Sequence, residues 1–131
     1  MKKTPRITES EWIVMKIIWE HGSRSTNQII EDLKEDSEWK PSTIKTLLNR
    51  LVVKGALRYE KDGRFFVYFP LVSSEDCRRA ESSSFIKRMY DGSLKMLVSS
   101  FLDQEGMDAG DIAELKAMLD EKERSLAGGE E

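Results

Sequence analysis

Apolar positions recur at helical spacing from the beginning of the chain. Trp12, Met15, Ile18 and Trp19 form one stripe, while Glu9, Lys16 and Glu20 fall on the other side, the period of an amphipathic helix. Thr8 followed by Glu11 is a capping box that opens this helix, and Gly22 stops it. Ile29, Ile30 and Leu33 predict a second helix, capped by Ser25 or Thr26, with Glu31, Asp32, Lys34 and Glu35 facing water. After the polar EDSEW connector, Pro41 suits the first turn of a third helix, because its missing N–H would be unpaired there anyway. Ile44, Leu47, Leu48, Leu51 and Val52 give that helix an i, i+3, i+4, i+7, i+8 core face, and Gly55 ends it. The flanks of Asp62-Gly63 are rich in Tyr, Phe and Val, which predicts two strands joined by a two-residue turn on that pair.

Pro70 to Ser74 marks a boundary. Beyond it Phe85, Met89, Tyr90, Leu94, Leu97, Val98, Phe101 and Leu102 trace one long amphipathic helix that Gly106 breaks. Asp108 or Asp111 opens a last helix bearing Ile112, Leu115, Met118 and Leu119. Two helices cannot enclose a core, so their stripes need a partner surface, and an identical pair from a second chain is the economical one. The expected fold is mainly α with a small β-hairpin: a winged helix-turn-helix over residues 1–70, a two-helix dimerisation domain over 71–124, and a disordered tail over 125–131. The expected dimer interface is Phe85, Met89, Leu94, Leu97, Val98, Phe101, Leu102, Ile112, Leu115 and Leu119.

Composition narrows the setting. At 131 residues, 34% charged and 39% hydrophobic, the chain can bury one ordinary core or a small domain with an appendage. No apolar run approaches the roughly 18 residues of a membrane span, and no apolar stretch follows the lysines of MKKTPRITESEW, so neither membrane insertion nor a signal peptide is expected. One cysteine, Cys77, and one histidine, His21, point to a reducing cytoplasm, with no metal and no cofactor. His21 reads as a favourable charge at a helix end and Cys77 as inert. No GxSxG, HExxH, Walker loop or CxxC occurs, and nothing indicates an enzyme.

Net charge is −3, which disfavours nucleic acid until the chain is divided. Residues 1–70 carry 13 Lys+Arg against 10 Asp+Glu, whereas residues 71–131 carry 8 against 14. Within 40–64, seven basic residues face only Glu60 and Asp62, as in a DNA reader with an acidic partner domain. The exposed face of the Pro41 helix carries Ser42, Thr43, Lys45, Thr46, Asn49 and Arg50 without a carboxylate. In a helix-turn-helix this second helix enters the major groove. Ser42, Thr43 and Thr46 can reach phosphates or thymine methyls; Lys45, Asn49 and Arg50 can reach base edges or backbone. Arg50, two turns in, is equally placed for phosphate or solvent alone. Lys54, at the end of the helix, is expected on phosphate. Trp39 is either a half-buried staple against the hairpin or a phosphate donor. Lys61 and Arg64 at the hairpin tip suit flanking phosphates or the minor groove, or simple solvation. Phe65, Phe66, Tyr68 and Phe69 read as core rather than as a base-stacking platform. A protein-interaction adaptor and a repressor released directly by a ligand remain alternative readings.

The stretches ITESEWIVMKIIWEHG, WKPSTIKTLLNRLVVKGAL, DGRFFVYFP and SSSFIKRMYDGSLKMLVSSFLDQEGM resemble the BlaI/MecI/CopY penicillinase-repressor family of bacterial winged-helix proteins, from about Ile7 to Leu119. Within them, W-x-P-x-T-I-x-T-L-L-x-R-L-x-x-K-G is the distinctive pattern. The resemblance implies a homodimeric repressor on a palindromic double-stranded operator, controlling β-lactam resistance or a related stress response. It further implies a membrane sensor protease whose signal cuts the dimerisation helix, usually at an Asn-Phe bond. The matching bond here is Ser100-Phe101, a departure from that pattern. The cysteine-rich tail of the copper-responsive branch is missing from KERSLAGGEE.

Overall fold

The capping box at Thr8 starts the first helix. In the computed structural model, which describes residues 4–104 and 106–128, the Glu11 amide donates to Thr8 Oγ1 at 3.3 Å and the Thr8 amide to Glu11 Oε1 at 3.0 Å. The helix so opened, α1 (Glu9–His21), ends at Gly22. A second capping box, Ser25 with Gln28, opens α2 (Thr26–Asp32), and Pro41 begins α3 (Pro41–Val53). Strands β1 (Arg24–Ser25), β2 (Leu57–Asp62) and β3 (Phe65–Pro70) form an antiparallel sheet in the order β1-β3-β2. Helices α4 (Ser74–Tyr90), α5 (Leu94–Leu102) and α6 (Ala109–Gly128) complete the chain.

The first of two compact units, Met1–Phe85, carries the core. Val14, Met15 and Ile18 of α1 meet Ile29 of α2, Ile44, Leu47, Leu48 and Leu51 of α3, and Leu57 of β2. Full burial of each such side chain is worth about 1.5–3 kcal/mol. Trp19 Nε1 donates to the Val72 carbonyl at 2.9 Å, tying α1 to the segment after the hairpin. Cys77 is buried in the same core, so this unit takes in the start of α4, beyond the hairpin end at Pro70.

Several expectations are corrected. Asp62 pairs with Phe65, so the hairpin turn is Gly63-Arg64 rather than Asp62-Gly63. Gly63, at φ 65°, takes the first central position, where a II′ turn demands glycine. The two-residue strand β1 was not expected, being too short to show any alternation. The long helix from Phe85 to Leu102 is in fact two: Asp91 and Gly92 adopt positive φ, 52° and 84°, and Ser93 caps α5. The region expected to hold two dimerisation helices therefore holds three. Residues 125–128, expected to be disordered, are the last turn of α6; 129–131 lie outside the described residues. Their Leu and Ala are good helix formers, and Arg124 pairs with Glu121 one turn back. Phe65 and Phe66, expected in the core, are exposed, because the helices do not cover that end of the hairpin.

In the second unit, Ile86–Glu131, neither α5 nor α6 contains a buried residue. Leu94, Val98, Phe101, Leu102, Leu115 and Leu119 are all exposed, Leu119 by 69%. Phe85 and Met89 are exposed as well, while Leu97, Ser100 and Ile112 are half-buried. Apolar surface of this extent marks an interface.

Candidate nucleic-acid interface

Helix α3 presents its polar face away from the core. Ser42, Thr43, Lys45, Thr46, Asn49 and Arg50 are all exposed, and among the described residues the side chains of Ser42, Thr43, Lys45, Asn49 and Arg50 have no hydrogen-bond or ion-pair partner. Thr46 Oγ1 donates to the Ser42 carbonyl at 3.0 Å. Its proton is thus used within the helix, and its methyl and oxygen lone pairs remain for a partner. No carboxylate interrupts this face.

The hairpin flanks one side of the helix. A groove of about 370 Å³ brings Lys45 and Asn49 of α3 together with Arg64 and Phe65 of the wing and Thr26 and Asn27 of α2. Burial, the largest influence on the Tyr68 hydroxyl, raises its pKa and keeps it neutral. Lys61 lies 5.9 Å from the Phe66 ring centre, and Tyr59 packs edge-on against Phe66 at 5.4 Å. A second groove, about 260 Å³, holds Thr43, Thr46, Leu47 and Arg50 with Trp39 and Ser10. Trp39 is half-buried and packs against the core, with Ser10 rather than the hairpin as its neighbour across the groove.

Lys54 lies apart from this surface in function. Its ammonium donates to the Arg6 carbonyl at 2.6 Å and forms an ion pair with Glu11. Glu11 is the one buried charged residue among those described. Burial alone would raise its pKa, but hydrogen bonds from Lys54 and from the Thr8 amide, with the Lys54 charge, hold the carboxyl below the usual range. The sequence placed Lys54 on phosphate; the structure gives its charge to Glu11 instead. A partner 43 residues away leaves no local pattern, and the sequence does not show that Asn27 and Ser10 line the two grooves, because each sits in a cap region that reads as structural.

Among the described residues no cluster of three His, Cys, Asp or Glu could hold a metal, and no helix is long and apolar enough to cross a membrane. Cys77 has its thiol pKa raised by burial. His21 Nδ1 lies 2.9 Å from the Ile17 carbonyl at the end of α1.

Comparison with known proteins gives a concordant result. Residues 7–121 match the penicillinase repressor family. The chain is 44% identical over 121 residues to the penicillinase repressor of Bacillus licheniformis, covering 92% of this chain and 94% of that one. It is 38% identical over 120 residues to the methicillin resistance regulatory protein MecI of Staphylococcus aureus (strain N315), covering 92% and 98%. Among solved structures it is similar to the DNA-binding domain of the repressor BlaI, with 50% identity and a TM-score of 0.53 over 58% of this chain and 93% of that one. Similar too is the Bacillus licheniformis BlaI monomer in complex with the blaP half-operator, at 50% identity and a TM-score of 0.51, with the same coverage.

Proposed function

This chain belongs to the penicillinase-repressor family, and on that footing we propose that it is a dimeric transcriptional repressor gripping a palindromic operator through two copies of α3. The observation that carries this reading is the α3 face itself: exposed, free of carboxylate, and bordered by Arg64 on one side and Trp39 on the other. Ser42, Thr46 and Asn49 then meet base edges, Asn49 suiting adenine and the Thr46 methyl suiting thymine. Lys45, Arg50, Lys61 and Arg64 supply phosphate contacts that fix register. The BlaI monomer solved on a half-operator supports the same use of the first unit here.

Dimerisation runs through the exposed stripes of α5 and α6 and the end of α4. Joining two α3 copies turns the second half-site contact into an intramolecular one and raises operator affinity by effective concentration. Control of β-lactam resistance or a related stress, acting in the cytoplasm, follows from the family. A membrane sensor protease acting on Ser100-Phe101 is the corresponding release route. That bond falls in the last turn of α5, where Phe101 is 48% exposed, and a cut there would sever the apolar stripe.

Titration of operator and scrambled duplexes at two salt concentrations tests the proposal. Tighter operator binding at both salts is expected, with log K falling by about 0.9 per phosphate contact for each tenfold rise in salt. Equal affinity for the two duplexes would overturn it.

A further inference from the structure

Helix α2 is joined to the wing sheet without a loop. Its cap, Ser25, is the second residue of β1, and β1 pairs with β3, Arg24 opposite Tyr68 and Ser25 opposite Val67. A single residue therefore carries the whole change of direction from strand to helix. Such a joint fixes where α2 starts, but the two soft torsions of each residue there leave the angle between strand and helix free. That angle is closed from the far end of α2. Arg24 Nε donates to Asp32 Oδ2 at 2.9 Å and Arg24 Nη2 to Asp32 Oδ1 at 3.0 Å, a two-pronged contact that is directional as well as strong. The two side chains are only 21% and 25% exposed, so water screens the pair weakly. The hydrogen bond from Arg24, with the charges of Arg24 and His21, holds the Asp32 carboxyl below its usual range against the opposing effect of burial.

Strand, helix and ion pair close a triangle that links the wing to the recognition helix. Through Ile29, α2 shares the core with α3. The base of the hairpin is held there too, by Leu57, but the rest of β2 is exposed. The brace further along is β1, which meets β3 at Val67 and Tyr68. Thr26 and Asn27, just past the joint, line the groove that has Lys45 and Asn49 of α3 and Arg64 of the wing as its other walls. A rotation at the joint would change the spacing across that groove. We infer that Arg24 and Asp32 are positioning residues for operator binding: their ion pair sets the distance between wing and α3, and so places Arg64. Neither residue need touch DNA. This inference rests on the repressor reading above.

The test is titration of the full-length protein with an operator duplex, defined by footprinting its own upstream DNA, well below the melting temperature of every variant. Asp32→Asn is the informative substitution, because it keeps the side-chain shape and makes the protein one charge more positive. Electrostatics alone would leave DNA binding unchanged or tighten it. Loss of the positioning contact should instead weaken operator binding about threefold to tenfold, and Arg24→Gln should do the same. Arg64→Gln should lower the salt slope of the wild type by about one, yet add little to either variant, because the wing is already out of place. Arg24→Lys keeps the charge and gives up the two-pronged contact, so it supplies the same comparison should Asp32→Asn fail to fold. Unchanged or tighter binding by Asp32→Asn would overturn the inference. Weakening by Arg24→Gln alone would do so too, since Arg24 would then touch DNA itself. Losses that simply add to that of Arg64→Gln would show that the pair does not act through the wing. A wild type that binds operator and scrambled duplex equally would overturn the repressor reading itself, and this inference with it.

Discussion

Glu11 takes part in two interactions that the sequence shows only in part. As the third residue of α1 it completes the capping box with Thr8, and as a buried carboxylate it pairs with Lys54 at the far end of α3. The capping half is legible from four adjacent positions; the ion pair is not, because it depends on how two helices cross. Removing one partner of a buried pair leaves a desolvated charge behind. Lys54→Met should therefore destabilise the protein by about 3 kcal/mol, measured by urea unfolding at neutral pH. The pH dependence has a definite sign. Glu11 has a folded-state pKa below its unfolded one, so its contribution is complete above the ordinary carboxylate range and is lost as pH falls through that range. Wild-type stability should thus drop more steeply with acid than that of Glu11→Gln; parallel unfolding curves across pH would contradict the pairing.

Among the elements, α3 and the hairpin are the most legible and the most informative. The apolar face of α3 was readable because Ile44, Leu47, Leu48 and Leu51 are all buried at helical spacing, and its caps are local. The exposure of Phe65 and Phe66 was not readable: strand residues alternate by local rule, but whether anything covers them depends on distant helices. The break at Asp91-Gly92 was hidden for a different reason. The apolar stripe resumes at Leu94 after the interruption, and the short Asp-Gly-Ser run, with Ser93 as the cap of α5, was the signal against continuity. Two outcomes follow at this scale. Gly63→Ala should cost about 1–2 kcal/mol by forcing a side chain into positive φ, and should weaken operator binding through the wing, measured by thermal unfolding and duplex titration. Asn49→Ala should change the preference between operator variants, whereas Lys45→Ala should weaken binding to all of them and lower the salt slope by about one. Identical behaviour of the two would contradict the separation of base contacts from phosphate contacts.

At the scale of the whole molecule, the contrast between its two units is the main fact. The first buries a core; α5 and α6 of the second bury no residue and expose Leu94, Val98, Phe101, Leu102, Leu115 and Leu119. A second copy of the same surface is the partner that symmetry favours. Phe101→Asp should shift the protein from dimer to monomer in sedimentation, and should weaken binding to a full operator much more than to a half-site. Unchanged sedimentation would place the interface elsewhere. The most direct measurement is a footprint of the purified protein on its own upstream DNA at physiological salt. Two-fold symmetric protection, with half-sites about one helical turn or a small multiple of it apart, is the predicted result. Protection no greater than any duplex receives would contradict the repressor reading.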